Sequence, residues 1–143
     1  MNSLAARCLE LLGPPGGPVA VVAPRAPTLR AALAPWRDPN DDGAPAAAVV
    51  AFLGAPGRPE ERQRVLRDLR RRLPAGARLV LVDHNQPRAW WRRILAAPSL
   101  VRAGLGPARA RYPAARELAA LGFQVERLRL AAGERIQLIV ART

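Results

Sequence analysis

The 143-residue sequence has no lysine, one cysteine, one histidine and few aromatic residues (three tryptophans, two phenylalanines and one tyrosine). Each shortage excludes something. A single cysteine, Cys8, rules out an internal disulfide and any zinc site built from cysteines. A single histidine, His84, rules out a multi-histidine metal site and a two-histidine proton relay. No apolar run approaches the roughly 20 residues that a membrane span needs. Met1-Asn2-Ser3-Leu4 places no basic segment ahead of an apolar stretch, so no secretory signal is read there. These absences set the expectation of a soluble, reduced, cytoplasmic protein that holds no metal and does not engage a membrane.

The missing lysine makes all 23 basic residues arginine, against 11 acidic ones, for a net charge of +12. Alanine, proline and glycine are abundant too. That mixture reflects a bias toward G- and C-rich codons, so the identity of the basic residue says little about function. The excess of basic over acidic residues survives this argument, because acidic codons are equally compatible with that bias. Half of the residues are hydrophobic. A chain of this length forms one domain, here residues 1–143, and buries about two-thirds of its unfolded surface.

Along the chain, Leu4, Cys8, Leu11 and Leu12 share one helical face, which predicts a helix over 4–12 capped by Ser3. Cys8 reads as a buried small hydrophobe. Gly13 to Pro18 is a breaker loop. Residues 19–23 are wholly apolar and rich in valine, as suits a strand covered on both faces. A short helix follows, with Thr28 as its expected cap and Pro35 at its end. Residues 36–45 form a polar loop. Residues 46–53 are a second buried strand. Residues 59–73 form the clearest helix: Pro59, Glu60 and Glu61 open it, Val65, Leu66, Leu69 and Leu73 line one face, and Arg70, Arg71 and Arg72 close it. Arg62, Arg64 and Arg67 are placed with those arginines on its solvated face. Residues 78–83 are the third strand, so strand, helix and strand form a right-handed crossover in a parallel sheet. A helix interrupted by Pro98 is expected over 88–103, and another over 113–121. The arms 123–130 and 134–142 form an antiparallel hairpin around Ala131-Ala132-Gly133. Phe123 and Val125 are out of phase with Leu128 and Leu130, which calls for a bulge or an edge position.

This ending is unusual for a doubly wound sheet. Residues 47–53, then Leu66 through Leu-Pro-Ala-Gly-Ala-Arg-Leu-Val-Leu-Val-Asp at 73–83, and Leu-Ala-Ala-Leu-Gly-Phe-Gln-Val at 118–125 with Gly-Glu-Arg-Ile at 133–136, together resemble the class I S-adenosylmethionine-dependent methyltransferase fold. The resemblance covers residues 46–143. It implies a three-layer α/β, Rossmann-like sheet, here of about five mostly parallel strands with a C-terminal antiparallel hairpin. It also implies S-adenosylmethionine as cofactor, held by a G-x-G-x-G turn after the first strand and by an acidic residue after the second. The chain departs from that pattern. The glycine positions fall on Ala23, Arg25 and Pro27, where a long side chain and a locked ring replace open backbone. The span from 22 to 46 is too short for two further strands. Asp38, Asp41 and Asp42 are the acids at hand for the ribose.

Ligands of open α/β sheets sit beyond the carboxyl ends of the parallel strands. By position, Ala23, Arg25 and Gly54 are therefore the candidate cofactor contacts. Asp83, His84 and Asn85 form the most polar strand end, and His84 with Asp83 is the candidate catalytic pair, since an imidazole near neutral pKa suits proton transfer. Trp90, Trp91, Arg92 and Arg93 are the densest aromatic–basic group and the candidate contact for a ligand or partner. The leading expectation is a degenerate methyltransferase-like domain, not catalytic alone, that serves as a binding or partner subunit for another protein or a second copy. The alternatives are an active minimal methyltransferase and a basic module binding nucleic acid through phosphate contacts.

Overall fold

Five strands hydrogen-bond in the order β1-β2-β3-β5-β4 in the computed structural model, which describes residues 3–37, 44–53, 59–85, 87–102 and 114–143. β1 (Val19–Val22), β2 (Ala47–Ala51) and β3 (Arg78–His84) run parallel, with Val22 level with Val50 and Val50 level with Leu81. β5 (Ile136–Arg142) then pairs antiparallel with β3, and β4 (Gln124–Ala131) pairs antiparallel with β5 on the outside. The last strand made is thus internal. All of residues 137–141 are buried, because both faces of β5 are covered and not one alone.

Two helical layers enclose the sheet. One face carries Val49, Ala51, Val80, Val82, Leu138 and Val140, which pack against α1 (Ser3–Leu12) and α2 (Pro27–Ala32). The other carries Val50, Leu79, Leu81 and Ile139, which pack against α3 (Pro59–Arg72), α5 (Ala114–Ala120) and Phe123. This is the expected three-layer arrangement. Burying an aliphatic side chain contributes about 1.5–3 kcal/mol each, so these two clusters supply the driving force for the fold.

Several local expectations are corrected. α2 begins at Pro27, with Ala26 at its N-cap and no side-chain cap bond, so Thr28 lies inside the helix and caps nothing. Pro27 does that work by presetting φ for the first turn. α5 spans Ala114–Ala120, and Pro113 lies outside the described residues. α5 ends because Gly122 adopts φ +87, where its amide reaches the Ala119 carbonyl and the Phe123 amide reaches that of Leu118. The hairpin turn is four residues, Ala132–Arg135, and has positive φ at Ala132, Gly133 and Glu134. The slipped phase of β4 has both causes that the pattern required. The register shifts between Val125 and Arg127, and β4 is the edge strand, exposed at every residue but Ala131.

The largest correction concerns Arg62, which is 2% exposed and not solvated. Its Nη1 donates to the Leu53 carbonyl at 2.7 Å. Its Nη2 meets Asp83 Oδ2 at 2.8 Å and Glu117 Oε2 at 3.1 Å. Burial lowers the guanidinium's pKa, but the two carboxylates more than offset this and hold it above the ordinary arginine value. One side chain therefore ties the first turn of α3 to the ends of β2 and β3 and to α5.

Candidate functional site

Parallel strands in register end together, and the segments after β1, β2 and β3 meet at one edge of the sheet. After β1 the chain turns through Ala23–Ala26, closed by the Ala26 amide on the Ala23 carbonyl at 3.3 Å. Ala23 is buried and Arg25 is exposed. After β2, Phe52 takes φ +52, a region that costs a non-glycine residue about 1 kcal/mol or more. Its amide donates to the Val82 carbonyl at 2.9 Å, which turns the ring toward His84. The two rings lie 4.6 Å apart at a tilt of 38°. Gly54 lies outside the described residues.

Asp83 and His84 are neighbours in sequence but serve opposite faces, because successive strand residues alternate. Asp83 lies level with Gln137, on the face of α3 and α5, and its carboxylate is fully used. Oδ2 takes Arg62, and Oδ1 accepts the His84 amide at 2.8 Å. His84 lies level with Ile136, on the face of α1 and α2, against Phe52. The pair is therefore not assembled as a relay. The cluster the structure does bring together is Arg25, Phe52 and His84.

His84 is half-buried, and burial lowers its pKa from the usual 6.5. Asp83 opposes that shift, and the charge of Arg25 adds to it. The imidazole is thus neutral at pH 7 near a cation, a combination in which Arg25 and the ring N–H donate hydrogen bonds to an anionic group and the other ring nitrogen accepts one from a polar group. Since the folded imidazole titrates below its unfolded value, its protonation opposes folding. Its contribution to stability is intact above about pH 6.5 and falls as pH drops through the folded value. Arg25→Gln is expected to raise the His84 pKa, read as the pH dependence of its ring-proton NMR shifts. An unchanged titration would show that the Arg25 charge does not reach the ring.

The sequence pattern missed Arg62, Glu117 and Phe52. Arg62 had a signal, since it lies four and seven residues before Leu66 and Leu69 and so continues their buried stripe. Glu117 likewise sits three residues after buried Ala114 and beside buried Leu118. Phe52 had none, because its role depends on an unusual backbone angle.

The aromatic–basic group lies on α4 (Trp90–Arg102), at some remove in character from this edge. Its arginines serve the protein itself. Arg92 stands 5.0 Å from the Trp91 ring and pairs with Glu134 at 3.4 Å, while Arg93 Nε donates to the Pro87 carbonyl at 2.8 Å. Glu134 also accepts the Arg88 amide at 3.1 Å, and its carbonyl accepts Asn85 Nδ2 at 2.8 Å. The hairpin turn thereby clamps the start of α4. Trp91, Leu95 and Ala96 face Gly133 and Arg135 across a groove of about 310 Å³. Cys8 is buried on the inner face of α1, its thiol pushed up to about 12 by burial, so it is unreactive.

Among the described residues, no cluster of three or more metal-ligating side chains occurs, and no helix is long and apolar enough to cross a membrane. No family model matches the chain, and no curated protein matches it. Solved structures do match it in fold. A Bacillus halodurans C-125 protein described as a candidate methyltransferase superposes with TM-score 0.63 at 14% identity, over 99% of each chain. Human N-acetylserotonin methyltransferase, solved with S-adenosylmethionine, superposes with TM-score 0.60 at 12% identity, over 99% of this chain and 52% of its own. The pyocyanin biosynthetic protein PhzM does so with TM-score 0.59 at 20% identity, over 87% of this chain and 42% of its own. The chain thus spans about half the length of the last two.

Proposed function

Given that this chain has the class I methyltransferase fold and forms a methyltransferase-like domain, we propose that it is a degenerate member that does not transfer methyl groups alone and works as a binding or partner subunit. The observation carrying this reading is the position of β1. Among the described residues it is the edge of the sheet, with no strand beyond it, and it leads through Ala23-Pro24-Arg25-Ala26-Pro27 into a six-residue helix. Cofactor binding of the family's kind needs open backbone at that turn and an acid on a second strand alongside. Here an arginine and a proline ring occupy the turn, no strand lies beyond β1 among the described residues, and Asp38, Asp41 and Asp42 lie outside the described residues. The described residues of the turn do not fit S-adenosylmethionine, and no step of a reaction is assigned to it.

What the edge does offer is a cation beside a neutral imidazole and an aromatic ring, on a rigid three-strand base. That suits reversible binding of an acidic group better than catalysis, since Asp83 is engaged by the Arg62 guanidinium and the His84 backbone amide and not by the imidazole. Isothermal calorimetry of the isolated chain with S-adenosylmethionine is expected to show no micromolar binding. Micromolar affinity at unit stoichiometry would overturn the reading.

A further inference from the structure

α4 is built inside out. An ordinary surface helix buries its apolar stripe and exposes its charges. Among the described side chains of α4, those that hold it to the protein include Arg92 and Arg93, through Glu134 and the Pro87 carbonyl, together with buried Ala96. The large apolar side chains face solvent: Trp90 is 72% exposed, Leu95 70%, Val101 67%, Ile94 62% and Trp91 49%. Scattered exposed apolar residues need no explanation, but five on one 13-residue helix make a contiguous patch of the kind that marks a protein interface. From Trp90 to Val101 the patch runs about 16 Å, roughly three helical turns. It continues into the groove between α4 and the 132–135 turn, where Leu95 and Trp91 face Arg135.

The charge around the patch decides what can cover it. From His84 to Arg116 the sequence has seven arginines and no acidic residue. Arg88, Arg102 and Arg135 are exposed, and the Glu134 carboxylate at the start of α4 is committed to Arg92 and to the Arg88 amide. A second copy docking here by a two-fold axis would bring the same guanidinium rim against itself, and such like-charge contact is costly. A partner with an apolar stripe and acidic flanks meets both features at once.

The geometry points to α4 as a docking helix for an acidic amphipathic helix of a different protein. The leucine-type stripe of that helix covers Trp90, Trp91, Ile94, Leu95 and Val101, and its carboxylates reach Arg88, Arg102 and Arg135. This is recognition of a helix by an apolar helix face, with charge setting specificity and apolar contact setting affinity. The inference rests on the partner-subunit reading and names the partner's chemistry.

The test uses a fluorescent 18-residue helical peptide with leucine on one face and glutamate on the other. Its anisotropy is followed on titration with the full chain. Binding is expected to weaken at least tenfold in Leu95→Arg and in the Trp90→Ala/Ile94→Ala double variant, with melting temperatures unchanged. It is also expected to weaken as salt rises. The proposal is overturned by no binding of the peptide, equal binding by the variants, equal binding of the same peptide with lysine in place of glutamate, or concentration-dependent dimerisation abolished by Leu95→Arg. Preferential binding of phosphatidylserine vesicles through this face would overturn it in favour of a lipid surface. These outcomes are independent of calorimetry with S-adenosylmethionine, so failure of the docking proposal and failure of the partner-subunit reading are told apart.

Discussion

Arg62→Ala is expected to destabilise the protein by about 3–5 kcal/mol, the usual cost of breaking a buried ion pair by removing one partner. The loss is large because three acceptors depend on this one guanidinium. The Asp83 and Glu117 carboxylates would remain buried without their cation, and the Leu53 carbonyl would lose a donor at 2.7 Å. Water cannot readily replace it, since Asp83 and Glu117 are also buried. A domain of this size has about 5–15 kcal/mol in total, so the variant sits near unfolding at room temperature. Urea denaturation followed by circular dichroism measures the loss. A companion triple variant, Arg62→Met with Asp83→Asn and Glu117→Gln, removes the charges together and is expected to recover most of it, because a buried ion pair is costly to break yet contributes little over a neutral replacement. If Arg62→Ala lost less than about 1 kcal/mol, as an exposed ion pair would, the burial of the triad would be refuted.

Leu81→Ala is expected to cost about 2–5 kcal/mol. Leu81 is fully buried at the middle of β3, paired with Val50 on one side and Ile139 on the other, and it faces the layer of α3 and α5. Neighbours held in two strand ladders cannot collapse into the gap, which puts the cost toward the upper part of that range. Leu95→Ala supplies the contrast. The chemistry is the same, but Leu95 stands in solvent, so the stability change is expected within about 0.5 kcal/mol. Equal losses at the two sites would contradict the inverted orientation of α4.

Much of the fold was legible because the strands that matter are short, apolar and bounded by glycine and proline. Residues 19–22, 47–51 and 78–84 announce themselves in this way, and α3 carries a full set of start and stop signals. The misfit of Leu128 and Leu130 correctly indicated an irregular edge strand. The central place of β5 was less legible. Nothing within residues 136–142 shows that β3 pairs along one edge and β4 along the other, with a helical layer over each face. The edge where the three strands end could be located from the order of elements alone. Its composition could not, since Phe52 reaches His84 through a rare φ and Arg62 reaches Asp83 across 21 residues. The reading of every arginine on α3 as solvated was the natural consequence of treating charge as exclusion from the core. Phase was the better guide.

The strand order also has a consequence in time. β5 lies between β3 and β4, yet it is synthesised after both. During translation, β1, β2 and β3 can assemble with α1 to α3 around them, but the outer side of β3 stays open until residues 136–142 emerge. β3 carries a run of five buried residues, Leu79 to Asp83, with ladder bonds on that side waiting for a partner. An open apolar edge of this kind recruits other chains. Until residues 136–142 emerge the nascent chain presents that edge, and the pairing of β5 with β3 is what closes it.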